Sequence, residues 1–221
     1  MKFEIEGQKH NLLLNYDSNI LNLFINKSVA IVGSSGILLN KEYGNLIDTH
    51  DIIVRFNVAR VKGFEKHVGK RTDIRFFNGH AFAGTSDPNR FLGNDPNFVS
   101  SLNGEILIVK SWNEQEFMLG TIKTTPQNTA LFLNPQFTNY CNQLTGGEAT
   151  CGLLGVIFMT LFSKNISCFG FNHYKDDLKS IHYWEKIQDA ENWKTGQSHG
   201  WNMEEQLFQQ YIDNKIIKMY R

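Results

Sequence analysis

Apolar and polar positions along this chain follow two different periods, and the changes from one to the other divide it into elements. Short runs rich in β-branched and aromatic residues occur at Val29-Ala30-Ile31-Val32, Ile52-Ile53-Val54-Arg55-Phe56, Ile74-Arg75-Phe76-Phe77, Ile106-Leu107-Ile108-Val109 and Ile166-Ser167-Cys168-Phe169. Each predicts a buried strand, and together they predict one sheet. Helical spacing predicts helices over 135–144, 151–162 and 203–212, the last with Met203, Leu207, Phe208 and Tyr211 on one face. Strands alternating with helices predict an α/β fold with a mostly parallel sheet. The stretch 78–103 is rich in Gly, Asn, Asp, Ser and Pro and reads as a long surface loop. A single domain over 28–221 follows, preceded by an extension over 1–27 in which an extra helix is the one element considered.

A chain of 221 residues is long enough for one sizeable core. Lys plus Arg and Asp plus Glu both number 22, so there is no basic footprint for nucleic acid or a membrane surface, and a charged ligand must be held locally. Cys141, Cys151 and Cys168 are odd in number and lack C-x-x-C spacing, which points away from a zinc site or a disulfide framework and towards a reducing compartment. Glu4 and Glu6 stand where a signal peptide would carry its apolar stretch, and the apolar run 153–162 is too short to cross a bilayer. No membrane-spanning segment is expected.

Candidate chemistry collects at three places. His182, in Ile181-His182-Tyr183-Trp184-Glu185, and His199, in His199-Gly200-Trp201-Asn202-Met203-Glu204, have side chains able to accept and return a proton near neutral pH. Read alone, His182 could equally be a half-buried member of an aromatic cluster, and His199 a surface residue capping the helix that starts near Trp201. The second place is the turn Gly33-Ser34-Ser35-Gly36, where glycine lets backbone N–H groups approach a phosphate, although a plain strand-to-helix turn has the same form. Neither the dinucleotide fingerprint G-x-G-x-x-G nor the P-loop lysine is present, which disfavours a dehydrogenase or a nucleoside triphosphatase. Third, the segment Thr145 to Gly152 leads into an apolar helix whose N-terminal donors suit a phosphate, with an ordinary Thr N-cap as the alternative. Cys151 there reads as a small buried hydrophobe rather than a nucleophile. There is no D-x-D and no H-E-x-x-H, and Asp176-Asp177 are adjacent, so no metal site and no cofactor are expected.

Taken in order, these pieces resemble the animal-type sialyltransferases, whose four motifs have counterparts over about residues 28 to 221. The large motif is matched by Val29 to Gly36, Tyr43-Gly44, Ile47-Asp48, His50-Asp51, Arg55-Phe56-Asn57, Gly63-Phe64-Glu65 and Val68-Gly69-Lys70-Arg71-Thr72. The small motif is matched by Thr150-Cys151-Gly152 and Phe169-Gly170-Phe171, the third by His182-Tyr183-Trp184-Glu185, and the last by His199 and Glu204. The resemblance implies a Rossmann-like sheet flanked by helices, a variant of the GT-A glycosyltransferase fold. It also implies metal-independent, inverting transfer of sialic acid from a CMP-activated donor to a hydroxyl of a terminal galactose-type glycan acceptor. Under it His199 is the catalytic base and His182 the partner of the leaving phosphate. Ser34, Ser35, Asn57, Thr150, Cys151 and Gly152 line the donor site, and Gly33, Tyr183, Glu185 and Glu204 support it.

Two departures sharpen the expectation. Ser34 stands where the family usually has asparagine, which leaves open another CMP-activated acidic sugar, of the Kdo type. The cysteine that usually opens the large motif is Val29, and its usual disulfide partner falls at about Ser163, so both halves of that bridge are absent. Their joint absence fits a reducing compartment, and with the lack of anchor and signal it points to a cytoplasmic bacterial or viral member. A nucleotide- or glycan-binding module without catalysis is the remaining alternative, against which both histidines argue.

Overall fold

A computed structural model describes residues 2–5, 8–14, 22–78, 101–110, 128–172, 182–184 and 199–221. The chain opens with an antiparallel pair of β1 (Lys2–Ile5) and β2 (Gln8–Asn11); much of the remaining extension, residues 15–21, in which an extra helix is expected, lies outside the described residues. The expected strands form as β3 (Ser28–Val32), β4 (Ile52–Phe56), β5 (Ile74–Asn78), β6 (Ile106–Lys110) and β8 (Asn165–Phe169). Two strands join them that the pattern does not predict, β7 (Thr129–Phe132) and β9 (Lys218–Tyr220), both at sheet edges. The result is a seven-stranded, wholly parallel sheet in the order β7-β6-β5-β4-β3-β8-β9.

Burial on both faces explains why the inner strands read as continuous apolar runs. Alternate residues point to opposite faces. On one face Val29, Ile31, Val54, Phe76 and Cys168 pack against α3 (Pro135–Thr145) and α4 (Cys151–Thr160). Leu12, Leu13 and Phe24, from the first 27 residues, are buried in the same cluster, and Leu14 N–H donates to the Phe132 carbonyl at 2.9 Å. On the other face Ala30, Val32, Ile53 and Phe169 meet a short 3-10 turn (Gly36–Asn40), α1 (Gly44–Asp48), α2 (Glu65–Val68) and Tyr183.

The two helices α3 and α4 begin where the sequence supplies caps. Asn134 accepts from Gln136 N–H at 2.9 Å ahead of Pro135, and Thr150 Oγ1 accepts from Leu153 N–H at 3.1 Å. The last helix, α5 (Trp201–Asp213), turns the predicted face inward at Leu207, Phe208 and Tyr211, and departs from it at Met203. Met203 is 48% exposed, while Phe208 and the carboxylate-bearing Glu204 are buried. The reason lies in hydrogen bonding rather than hydrophobicity: Glu204 has partners on α4, so the helix turns its charge inward and leaves Met203 in water.

Two arginines are buried under the opposite face. Arg75 forms a bidentate pair with Glu105, at 2.7 and 3.0 Å, and donates to the Asn57 and Ala59 carbonyls, each at 2.9 Å. Arg55 donates to Thr72 Oγ1 and to the Val68 and Arg71 carbonyls; burial pulls it down to about 10, so it stays charged at neutral pH. Removing one partner of such a pair strands the other charge away from water. Arg75→Met is therefore expected to cost about 3 to 5 kcal/mol of stability, read as a shift in urea midpoint with an unchanged slope; a shift within error would show that Glu105 finds water instead.

Candidate functional site

The sheet has one topological reversal. From β3 the chain builds outward through β4, β5, β6 and β7, then returns to lay β8 and β9 on the other side of β3. Past the carboxyl ends of β3 and β8 the connections part to opposite sides, and this is the place where open α/β sheets take ligands in a crevice. The residues singled out from the sequence gather around it.

Its floor is backbone. Gly33 N–H donates to the Phe169 carbonyl at 2.8 Å and Ser35 N–H to the Gly170 carbonyl at 3.4 Å. A Cβ on Gly33 would lie 2.6 Å from the Gly170 carbonyl oxygen, and Gly170 itself has φ 71°, so each position needs glycine. The Ser35 hydroxyl is engaged as the cap of the 3-10 turn, accepting from Ile37 N–H at 3.3 Å. Ser34, half-buried, offers its carbonyl to Tyr183 N–H at 2.9 Å. That bond draws the His182–Trp184 segment to the end of β3. Tyr183 is buried, donates its hydroxyl to the Arg60 carbonyl and meets Phe64 edge-on; burial pushes its phenol up to about 12. His182 lies flat on Trp184, with ring centroids 4.7 Å apart and planes 6° apart. Glu185 falls outside the described residues.

At the end of β4, Asn57 takes a left-handed backbone conformation, φ 47°. Its Oδ1 accepts from Asn78 N–H at 2.9 Å, and since that partner can only donate, the amide orientation is fixed with Nδ2 left as the donor end.

Opposite lies the start of α4. Thr150 Oγ1 caps the helix and donates to Glu204 Oε1 at 2.6 Å, while Thr150 N–H donates to Glu204 Oε2 at 3.3 Å. Gly152 lies against Phe171, whose ring a Cβ there would meet at 3.0 Å. Cys151 is half-buried and its thiol is pushed up to about 11 by burial, so it is neutral at pH 7.

His199 precedes α5, yet it is not the helix cap; Gly200 holds that position. The imidazole turns instead to the Glu148 carbonyl, 2.6 Å from Nδ1. A carbonyl can only accept, so Nδ1 carries the proton and Nε2 is the basic nitrogen. Trp201 meets the ring edge-on, centroids 5.0 Å apart. Gly200 is pressed against α3: a Cβ there would lie 2.0 Å from the Thr145 carbonyl oxygen.

Sequence reasoning missed one charged residue of this region. Lys110, the last residue of β6, is buried, with Nζ 3.0 Å from Glu148 Oε1 and 3.2 Å from the Ala149 carbonyl. A lysine ending the apolar run Ile106 to Val109 reads as a strand terminus in water, and nothing local distinguishes it.

Glu204 carries the main electrostatic perturbation. Burial pushes its carboxyl up to about 7, against the pull of the two Thr150 donors and the Lys110 ammonium. At neutral pH it is poised between its two states.

The arrangement defines an α/β protein whose sheet reversal brings together a glycine turn, the N-terminus of α4 and two histidine-bearing segments. Comparison with known proteins narrows this. A profile of glycosyltransferase family 29 (sialyltransferase) matches residues 25–216, and the chain belongs to that family. A human β-galactoside α-2,6-sialyltransferase 2 is 25% identical over 191 residues, covering 74% of this chain and 34% of the relative. A β-1,6-galactosyltransferase of Arabidopsis thaliana is 53% identical over 53 residues, 24% of this chain and 13% of that protein. The chain thus spans about a third or less of the length of these relatives. A mammalian sialyltransferase crystallised with Gal-β-1,3-GalNAc-ortho-nitrophenol has the same fold, with TM-score 0.66 and 22% identity over 88% of this chain and 69% of the other. Among the described residues no helix is long and apolar enough to cross a membrane.

The raised Glu204 carboxyl makes a pH prediction. The native protein holds this proton more tightly than the unfolded chain between the ordinary value of 4.5 and the folded value of about 7. The contribution is full below the lower value and is lost as pH rises through the upper one, a fall on the order of 3 kcal/mol. Glu204→Gln should remove that fall, so its stability relative to the parent rises from pH 5 to pH 8. Urea midpoints across that range that track the parent at every pH would mean that Glu204 keeps an ordinary carboxylate.

Proposed function

We propose that the protein is a sialyltransferase acting on a CMP-activated sialic acid and a hydroxyl of a terminal galactose-type glycan, with residues 28–221 as its catalytic unit and 1–27 as an extension. The observation that carries this reading is the fixed imidazole of His199. Its Nδ1 is held by the Glu148 carbonyl, its Nε2 is left basic, and the same segment continues directly into the α4 N-terminus.

On this reading Nε2 of His199 takes the proton from the acceptor hydroxyl as its oxygen bonds to the anomeric carbon. The bond from that carbon to the phosphate breaks, and its electron pair leaves with the cytidylate. N–H donors at the start of α4, around Cys151 and Gly152, face the leaving phosphate with the positive end of the helix dipole behind them. Asn57 Nδ2, Ser34 and His182 supply further donors, and they are the basis for proposing that no metal is needed. Ser35 and Thr150 act through their turns, since both hydroxyls are engaged in capping. Gly33 keeps the crevice floor low, Tyr183 anchors His182, and Glu204 ties α5 to α4; Glu185 joins them on the resemblance alone. One displacement on one face inverts the anomeric centre.

A cytoplasmic setting is supported by the three free cysteines, Cys141, Cys151 and Cys168, and by what stands where the family bridge would lie: Val29 is buried in β3 and the Ser163 hydroxyl donates to the Lys27 carbonyl. A second reading, the same chemistry on another activated sugar, is favoured by the shorter Ser34 side chain and by the local likeness to a protein named as a galactosyltransferase. Kdo-type CMP donors belong to this reading.

Mass spectrometry of products from a panel of nucleotide-sugar donors on a glycan array decides between the two; sialylated product from the CMP donor is the expected result, and product only with another donor selects the second reading. Within the first, His199→Ala should lower kcat by about 10²- to 10⁴-fold while cytidylate binding is kept. Near-normal turnover would end the assignment of the base. His182→Ala should cost about 2 to 4 kcal/mol in kcat/KM.

A further inference from the structure

Lys110 is buried at the carboxyl end of β6 with no part in the fold's hydrophobic packing and no role in the chemistry above. A buried ammonium is costly unless it is paired and hydrogen-bonded, so its partners indicate what it holds in place. Those partners are Glu148 Oε1 and the Ala149 carbonyl, at 3.0 and 3.2 Å. Both belong to the short connection between α3 and α4, whose Glu148 carbonyl receives His199 Nδ1 at 2.6 Å. The connection is gripped on its other sides as well. Asn142 Oδ1 accepts from Ala149 N–H at 2.8 Å, Thr145 Oγ1 donates to the Gly147 carbonyl at 2.8 Å, and Glu204 takes the Thr150 N–H and hydroxyl. Lys110 alone among these is a cation, reaching in from the sheet.

We propose that Lys110 is a positioning residue for the catalytic base: by clamping Glu148 and Ala149 it fixes the direction of the Glu148 carbonyl, and through it the rotamer and the Nδ1–H tautomer of His199. The proposal rests on the reading of His199 as the base, and extends it to a residue on a different layer of the fold. A carbonyl that swings away leaves Nδ1–H without its acceptor, and the neutral ring can then place its proton on either nitrogen. In the Nε2–H form the ring cannot accept from the acceptor hydroxyl, so turnover falls while the donor site, built from β3, β4 and α4, is unaltered. The expected pattern is a loss in kcat without a matching change in donor KM.

The test is Lys110→Met, which keeps the length of the stem and removes the charge. We expect cooperative unfolding to be retained, kcat to fall on the order of 10- to 100-fold, and donor KM to stay within about twofold. Side-chain ¹H–¹⁵N spectra of His199 should move from the Nδ1–H pattern towards Nε2–H, a readout independent of catalysis. In a double-mutant cycle, Lys110→Met should cost nothing further on the His199→Ala background. Three results would overturn the proposal: an unchanged tautomer, a loss confined to donor KM, or full multiplication of the two effects in the cycle, the last two meaning that Lys110 meets the donor itself. If Lys110→Met does not fold, Glu148→Gln replaces it. That change keeps the backbone carbonyl and weakens the clamp from its more exposed side, so a smaller shift of tautomer and of kcat in the same direction is expected, and no shift in either would overturn the proposal. Full activity of His199→Ala would instead remove the reading of the base, leaving the tautomer shift as the measure of Lys110.

Discussion

One contact organises the region around the crevice: the Glu204 carboxyl, inside the fold, closed onto the hydroxyl and N–H of Thr150. It ties the first turn of α5 to the first turn of α4. Without it α5 has only Phe208 and a few half-buried residues to hold it against α3 and the core, and His199, immediately before that helix, would rest on its bond to the Glu148 carbonyl and on the contact of Gly200 with Thr145. The contact also explains why a carboxyl is tolerated inside. Two donors offset part of the desolvation cost, and a proton removes the rest near neutral pH.

Buried charge is distributed with the same logic elsewhere. Arg55 and Arg75 lie under the far face, both donating to carbonyls of the connection from β4 to β5, while Lys110 does the equivalent for the connection from α3 to α4. In each case a cation inside the protein holds irregular backbone that no sheet or helix could satisfy. The start of the connection that leaves β4 is thereby tied down, and Asn57 can hold a left-handed conformation because Arg75 and Asn78 fix both its carbonyl and its side-chain amide.

How much of this was legible in the sequence follows from which forces leave a local trace. The inner strands did, because burial on two faces demands unbroken apolar runs, and so did the Thr cap ahead of α4. The strand Thr129–Phe132 did not, since it has four residues of which only Leu131 and Phe132 are fully buried; Lys218–Tyr220 is shorter and only partly buried. The apolar positions of α5 placed Met203 inside, where the structure has Glu204, because a period counts hydrophobicity and is blind to a hydrogen-bonding partner 54 residues away. His199 and His182 were found through their motif company, whereas Lys110 was not, its partner lying 38 residues on. Pairings over such distances are written in the fold and not in any window of the chain.

The backbone contact between Gly33 and Gly170 divides the crevice into two kinds of position. At the floor any side chain is excluded by the carbonyl 2.6 Å from where its first carbon would lie, so these sites admit a single residue and offer no graded variation. Around the rim, Ser34 holds Tyr183 through its backbone carbonyl, so its side chain can be exchanged without rebuilding the sheet. Variation at this end of the sheet is therefore open to drift only through the rim, one substitution at a time, while the floor is a fixed property of the scaffold.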